Sequence, residues 1–84
     1  MPQVVIYATA SCSYCVRARA LLQRKGVEFT EIRVDGHPEQ RREMIQRSRR
    51  HTVPQVFIDD HHVGGYDDLA RLDKRGELDA LLGL

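Results

Sequence analysis

The chain has 84 residues, enough for one small domain and too few for two. Hydrophobic residues make up 42% and charged residues 30%, an ordinary globular balance, and no apolar run approaches the roughly 20 residues of a membrane-spanning helix. Thirteen Lys and Arg against twelve Asp and Glu leave a formal charge of +1, so no broad basic field points to nucleic acid or to an anionic membrane.

Val4-Val5-Ile6-Tyr7 is β-branched and aromatic and reads as a buried strand. The residues before it carry neither a basic cluster nor a long apolar region, so no secretory leader is expected. Ala8 to Ser11 is a small-residue connection, with Ser11 a candidate helix cap. Ser13 to Lys25 then turns helical, with Cys15, Ala18 and Leu22 on one face, and Gly26 supplies the stop. Val27 to Val34 alternates apolar and polar and reads as a second strand. Strand, helix and strand within about 30 residues make a βαβ unit, so these two strands should run parallel.

Asp35 to Pro38 is a turn, and Glu39 to Arg49 is the next helix, with Met44 and Ile45 as its apolar contacts. Its arginines, Arg41, Arg42, Arg47, Arg49 and Arg50, read mainly as a solvated face, with room for one or two to meet a phosphate or carboxylate. Val53 to Ile58 is strand-like, a turn falls at Asp59-Asp60 or Asp60-His61, and His62-Val63-Gly64 returns antiparallel. Tyr66 to Lys74 is a helix with Asp67 and Asp68 in its first turn, where acids suit the dipole, and Leu69 and Leu72 facing the core. Gly76 and Glu77 to Leu82 add a short last helix with Leu78, Leu81 and Leu82 inward. The order is β-α-β-α-β-β-α plus that terminal helix. His37, His51, His61 and His62 lie in connections or in the hairpin without metal-ligand spacing, and read as polar surface.

Two cysteines are too few for a disulfide scaffold or a four-thiolate zinc site. Cys12-Ser13-Tyr14-Cys15 instead places a C-x-x-C at a helix N-terminus after the first strand of the βαβ unit, which favours redox chemistry over inert core thiols or half of a metal site. Unpaired N–H groups and the helix dipole stabilise a thiolate there, and thiols in such settings titrate at about 3.5–7.5. Cys12, outermost, is the expected nucleophile, and Cys15, one turn in, the resolving thiol. In Thr52-Val53-Pro54 the proline opens a strand where it can donate no ladder bond, and it is a candidate cis peptide beside the thiols, leaving Val53 to pair with an extended peptide. Gly64-Gly65-Tyr66-Asp67-Asp68 ends a strand and opens a helix, so its N–H groups can hold a carboxylate and Asp67 or Asp68 an amine. Together these features describe a site for a small zwitterionic thiol peptide.

Cys12-Ser13-Tyr14-Cys15, Thr52-Val53-Pro54 and Gly64-Gly65-Tyr66-Asp67-Asp68-Leu69 stand in the order and spacing of the glutaredoxin family. The resemblance covers residues 1–84 as a single domain and is strongest to short, bacterial, dithiol members. It implies a thioredoxin-like α/β fold, with a four-stranded mixed sheet flanked by helices, and a cis Pro54. It implies a glutathione-dependent disulfide oxidoreductase in which Cys12 attacks a glutathione mixed disulfide and Cys15 completes a two-thiol cycle on protein disulfides. Tyr14 would flank the glutathione and Val53 pair with its backbone. Tyr66, Asp67 and Asp68 would hold its γ-glutamyl end and Arg41 its glycine carboxylate, with Thr52, Pro54 and Gly65 completing the site.

Glutathione would be the co-substrate, with no resident cofactor or metal required. Partners would be glutathionylated or disulfide-bonded proteins, ribonucleotide reductase among them, served by a cytoplasmic monomer. Two departures from the commonest family pattern stand out: Ser13 in place of proline, and no lysine among Ala8, Thr9, Ala10 and Ser11 to meet a carboxylate or stabilise the thiolate. Relatives with Ser or Gly at the first of these positions sometimes share a [2Fe–2S] cluster between subunits, which is one alternative reading. A redoxin that draws on thioredoxin reductase to supply ribonucleotide reductase is another.

Overall fold

The computed structural model describes residues 2–84. Eight elements follow one another: β1 (Val4–Ala8), α1 (Ser13–Arg24), β2 (Thr30–Arg33), α2 (Pro38–Ser48), β3 (Gln55–Ile58), β4 (His61–Gly64), α3 (Tyr66–Lys74) and α4 (Glu77–Leu81). The strands form one mixed sheet in the order β2-β1-β3-β4. β1 runs parallel to β2, as the βαβ reading requires, and antiparallel to β3, which pairs antiparallel with β4. This is the thioredoxin-like architecture.

Alternation along the central strands sorts the core into two layers. Val4, Ile6 and Ala8 of β1, with Val56 and Ile58 of β3, pack against Cys15, Ala18, Leu21 and Leu22 of α1, Leu69 of α3, and Leu78 and Leu82 at the C-terminus. Tyr7 and Phe57, which point the other way, meet Val34 and Met44, with Val5, Ile32 and Ile45 at the margin. Both faces of β1 and β3 are therefore covered, which is why these short strands are apolar almost throughout. Leu72 and Leu81 are half-buried against the first layer rather than fully inside it.

Several boundaries differ from the sequence reading, each for a local reason. Val27 and Phe29 pack on the core, but only from Thr30 does the chain enter the ladder beside β1. Val53-Pro54 precedes β3 rather than forming part of it. Ser11 does not cap α1; Cys12 does, because its sulfur reaches the N–H of Cys15. The hairpin turns at Asp59-Asp60, with Asp59 at φ 52°. The Lys25 ammonium, 2.6 Å from Asp73 and 2.7 Å from Asp79, ties the end of α1 to α3 and α4.

Candidate active site

Cys12 and Cys15 are both free thiols. Cys12 is the N-cap of α1, in extended conformation (φ −96°, ψ 115°), and its Sγ accepts a hydrogen bond from the Cys15 N–H at 3.1 Å. The sulfur thus occupies the place of a capping hydroxyl or carboxylate, at the positive end of the helix, an arrangement that suits an anionic sulfur. Cys15 has no exposed surface. Burial pushes its thiol up to about 12, and the hydrogen bond with Cys12 adds to the shift, so at neutral pH Cys15 holds its proton. One sulfur is presented and the other held in reserve beneath it.

The Val53-Pro54 peptide is cis, and the Val53 carbonyl lies 3.7 Å from the Cys12 sulfur. Beyond it runs a groove of about 280 Å³ lined by Tyr14, Arg50, Thr52, Val53, Pro54, Gly65, Tyr66, Asp67 and Asp68. The rings of Tyr14 and Tyr66, 6.2 Å apart, stand together there, and the Arg17 guanidinium covers the Tyr14 ring. The far end is the start of α3. Asp68 reaches back to accept from the Gly65 N–H at 3.0 Å, and the same oxygen accepts from Arg50 at 2.9 Å. Its other oxygen accepts from Arg71 at 3.3 Å. The Arg50 hydrogen bond is the main reason that the Asp68 carboxyl titrates below its usual range. Gly64 sits at φ +117°, and a Cβ there would run into the Asp68 carboxylate, so glycine is demanded both by the backbone and by that close approach.

The groove brings together every predicted glutathione contact except Arg41, which is half-buried on α2 and outside the lining. It also includes Arg50, which the sequence reading placed with the solvated arginines. Arg47 departs from that reading too: its guanidinium lies 4.1 Å over the Phe57 ring and donates to the Tyr7 hydroxyl at 2.9 Å. Nothing in local sequence separates these two from their neighbours; both depend on elements distant in the chain. Gln55, fully buried, was also not singled out, although a polar residue inside an apolar strand must find partners. A larger hollow, about 580 Å³, lies between Pro2–Val4 and Val27–Thr30 and holds none of the predicted residues. Among the described residues no three His, Cys, Asp or Glu side chains gather to hold a metal ion, and no helix is long and apolar enough to cross a membrane.

The family model described as Glutaredoxin matches residues 4–63. The chain belongs to the glutaredoxin family. It is 58% identical over 82 residues to a glutaredoxin of Pseudomonas aeruginosa, covering 98% of each chain. It is 57% identical over 82 residues to glutaredoxin 3 of Escherichia coli K12, covering 98% of this chain and 99% of that one. The structure superposes on a buckwheat glutaredoxin–glutathione complex with a TM-score of 0.89 at 27% identity, covering 98% of this chain and 77% of the other. Glutaredoxin membership, together with the C-x-x-C at the helix start, makes this chain a thiol–disulfide oxidoreductase.

Proposed function

We propose that this glutaredoxin draws its electrons from glutathione and acts first on glutathione mixed disulfides. The observation that carries the reading is the continuity of the groove. It runs from beside the capping sulfur of Cys12, past the Val53 backbone, to a helix start bearing Asp67. Those are the three features that a γ-glutamyl thiol peptide offers handles for: a sulfur, an extended backbone, and a zwitterionic end. Asp68 is committed to Gly65, Arg50 and Arg71, so Asp67, exposed at the same helix start, is the carboxylate for the substrate amine. The α3 N–H groups and Arg50 take the neighbouring carboxylate. Arg41 is assigned to the glycine carboxylate on the family resemblance alone.

In the first step the Cys12 thiolate attacks the glutathionyl sulfur; a Cys12–glutathione disulfide forms and the substrate leaves as its thiolate. Glutathione then attacks the glutathionyl sulfur of that adduct, restoring Cys12 and releasing oxidised glutathione. With a protein disulfide, Cys12 forms a mixed disulfide with one protein sulfur. The Cys15 sulfur then attacks Cys12, its proton passes to the departing protein thiolate, and two glutathione molecules reduce the resulting Cys12–Cys15 bond. The high-lying Cys15 thiol fits this order, since it does not compete for the first attack.

The test is steady-state reduction of a glutathionylated peptide with two electron sources, glutathione plus glutathione reductase and thioredoxin reductase, on wild type, Cys12→Ser and Cys15→Ser. Turnover with glutathione that survives loss of Cys15 and not of Cys12 supports the reading. Turnover from thioredoxin reductase alone, needing both cysteines, would move the protein to the thioredoxin-reductase-dependent class.

A further inference from the structure

Gln55 opens β3 immediately after the cis Val53-Pro54 peptide, and no part of it is exposed. An apolar side chain would fill this position without the cost of burying an amide, so the carboxamide calls for a polar explanation. Its Nε2 donates to the Thr52 carbonyl at 2.9 Å and approaches the Thr52 hydroxyl at 3.3 Å. Its Oε1 lies 2.8 Å from Nε2 of His62.

These contacts fix one another. A carbonyl can only accept, so the Thr52 carbonyl demands the NH₂ end of Gln55. That turns Oε1 toward β4, and His62 must then carry its proton on Nε2. Burial lowers the His62 pKa, which disfavours the doubly protonated ring, and the hydrogen bond to Gln55 selects the Nε2–H tautomer. His62 in turn is seated 4.9 Å from the Phe57 ring, and Phe57 is clamped between Tyr7 and the Arg47 guanidinium. A chain of contacts therefore runs from the core through His62 and Gln55 to Thr52, one residue from the carbonyl that touches the Cys12 sulfur.

We propose that Gln55, braced by His62, is a positioning residue for the substrate groove: it holds the Thr52 carbonyl and hydroxyl, and so sets the Thr52–Val53 backbone along which a substrate disulfide is laid. The identity of that substrate rests on the function proposed above, whereas the positioning does not. Gln55 hydrogen-bonds to Thr52 and His62 and to neither sulfur, so its loss is expected to act on how substrate is received rather than on the attack by Cys12.

The experiment compares Gln55→Met, similar in length but without the amide, and His62→Phe, which keeps a ring on Phe57 and removes the N–H donor. Loss of one such hydrogen bond is expected to raise KM for a glutathionylated peptide about two- to tenfold in Gln55→Met, with kcat and the rate of Cys12 alkylation by iodoacetamide unchanged. The Thr52 and Val53 backbone amide resonances should shift. His62→Phe should move KM the same way by less, and the double variant should be no worse than Gln55→Met. Unchanged KM with unmoved Thr52 and Val53 resonances would overturn the proposal. So would a loss confined to kcat with slowed alkylation, which would place the effect on the sulfur. If Gln55→Met does not fold, His62→Phe decides by the same readouts. If wild type shows no glutathione-driven turnover, the proposed function falls, and the Thr52 and Val53 resonances alone decide the positioning.

Discussion

Replacing Asp68 by alanine removes the carboxylate that closes the start of α3, and its cost can be assembled from contacts. The hydrogen bond from the Gly65 N–H is the N3 arm of a capping box, and losing one such bond costs about 1 kcal/mol. Arg50 and Arg71 are largely exposed, so their ion pairs with Asp68 contribute at most about 0.2–1 kcal/mol together. The expected loss is about 1.5 kcal/mol, or roughly 6–12 °C in Tm for a domain of this size. Asp68→Asn retains an acceptor for Gly65 and should lose about half as much. The sign with pH follows from the lowered pKa. The ionised carboxylate contributes stability above its unfolded value near 4, and that contribution is lost as pH falls through the lower folded value. Calorimetric unfolding of wild type and Asp68→Ala at pH 7 and at pH 2 reads both effects: a clear gap at pH 7 that narrows at pH 2. Equal Tm values at pH 7, or a gap that does not change with pH, would refute this account of the helix start.

Other outcomes follow from single residues. Arg49 ends α2 at φ 61°, a left-handed conformation that a Cβ disfavours, so Arg49→Gly should raise stability by about 1 kcal/mol in denaturant titration. Arg50→Ala removes an exposed ion pair and should cost less than about 1 kcal/mol of stability, while raising KM for glutathione about two- to tenfold; an unchanged KM removes Arg50 from the substrate site. Burial pushes the Cys15 thiol from its ordinary 9.0 to about 12, so the native state keeps a proton that the unfolded chain sheds in between. Stability should therefore fall as pH rises from about 9 toward 12, and urea unfolding of Cys15→Ala should show a shallower decline.

The order of elements was legible because its punctuation is chemical. Gly26, the Asp35 to Pro38 turn and Asp59-Asp60 interrupt apolar runs of clear period, and the βαβ connection then makes the first two strands parallel. The end of α2 carries no such mark, since Arg49 occupies a left-handed position usually held by glycine. The start of β2 was misread because Val27 and Phe29 alternate like strand residues while packing on the core outside the ladder. At the site, the three motifs pointed to one groove because each carries its own local chemistry. Arg50 and Gln55 were hidden for the opposite reason. Arg50 belongs to a run of arginines and acquires its role from Asp68, eighteen positions away. Gln55 sits in a strand pattern that says only which way it faces, and its partners exist only once the hairpin folds His62 over it. The capping of α1 by Cys12 was not legible because a thiol is not among the usual caps.

The central claim is that Cys12 alone receives the glutathionyl group. It is tested most directly by mixing Cys15→Ser and, separately, Cys12→Ser with oxidised glutathione and recording intact mass spectra. The account predicts one glutathione adduct on Cys15→Ser, removed by reduced glutathione, and none on Cys12→Ser. An adduct on Cys12→Ser, or a Cys15→Ser chain that forms none, would contradict it.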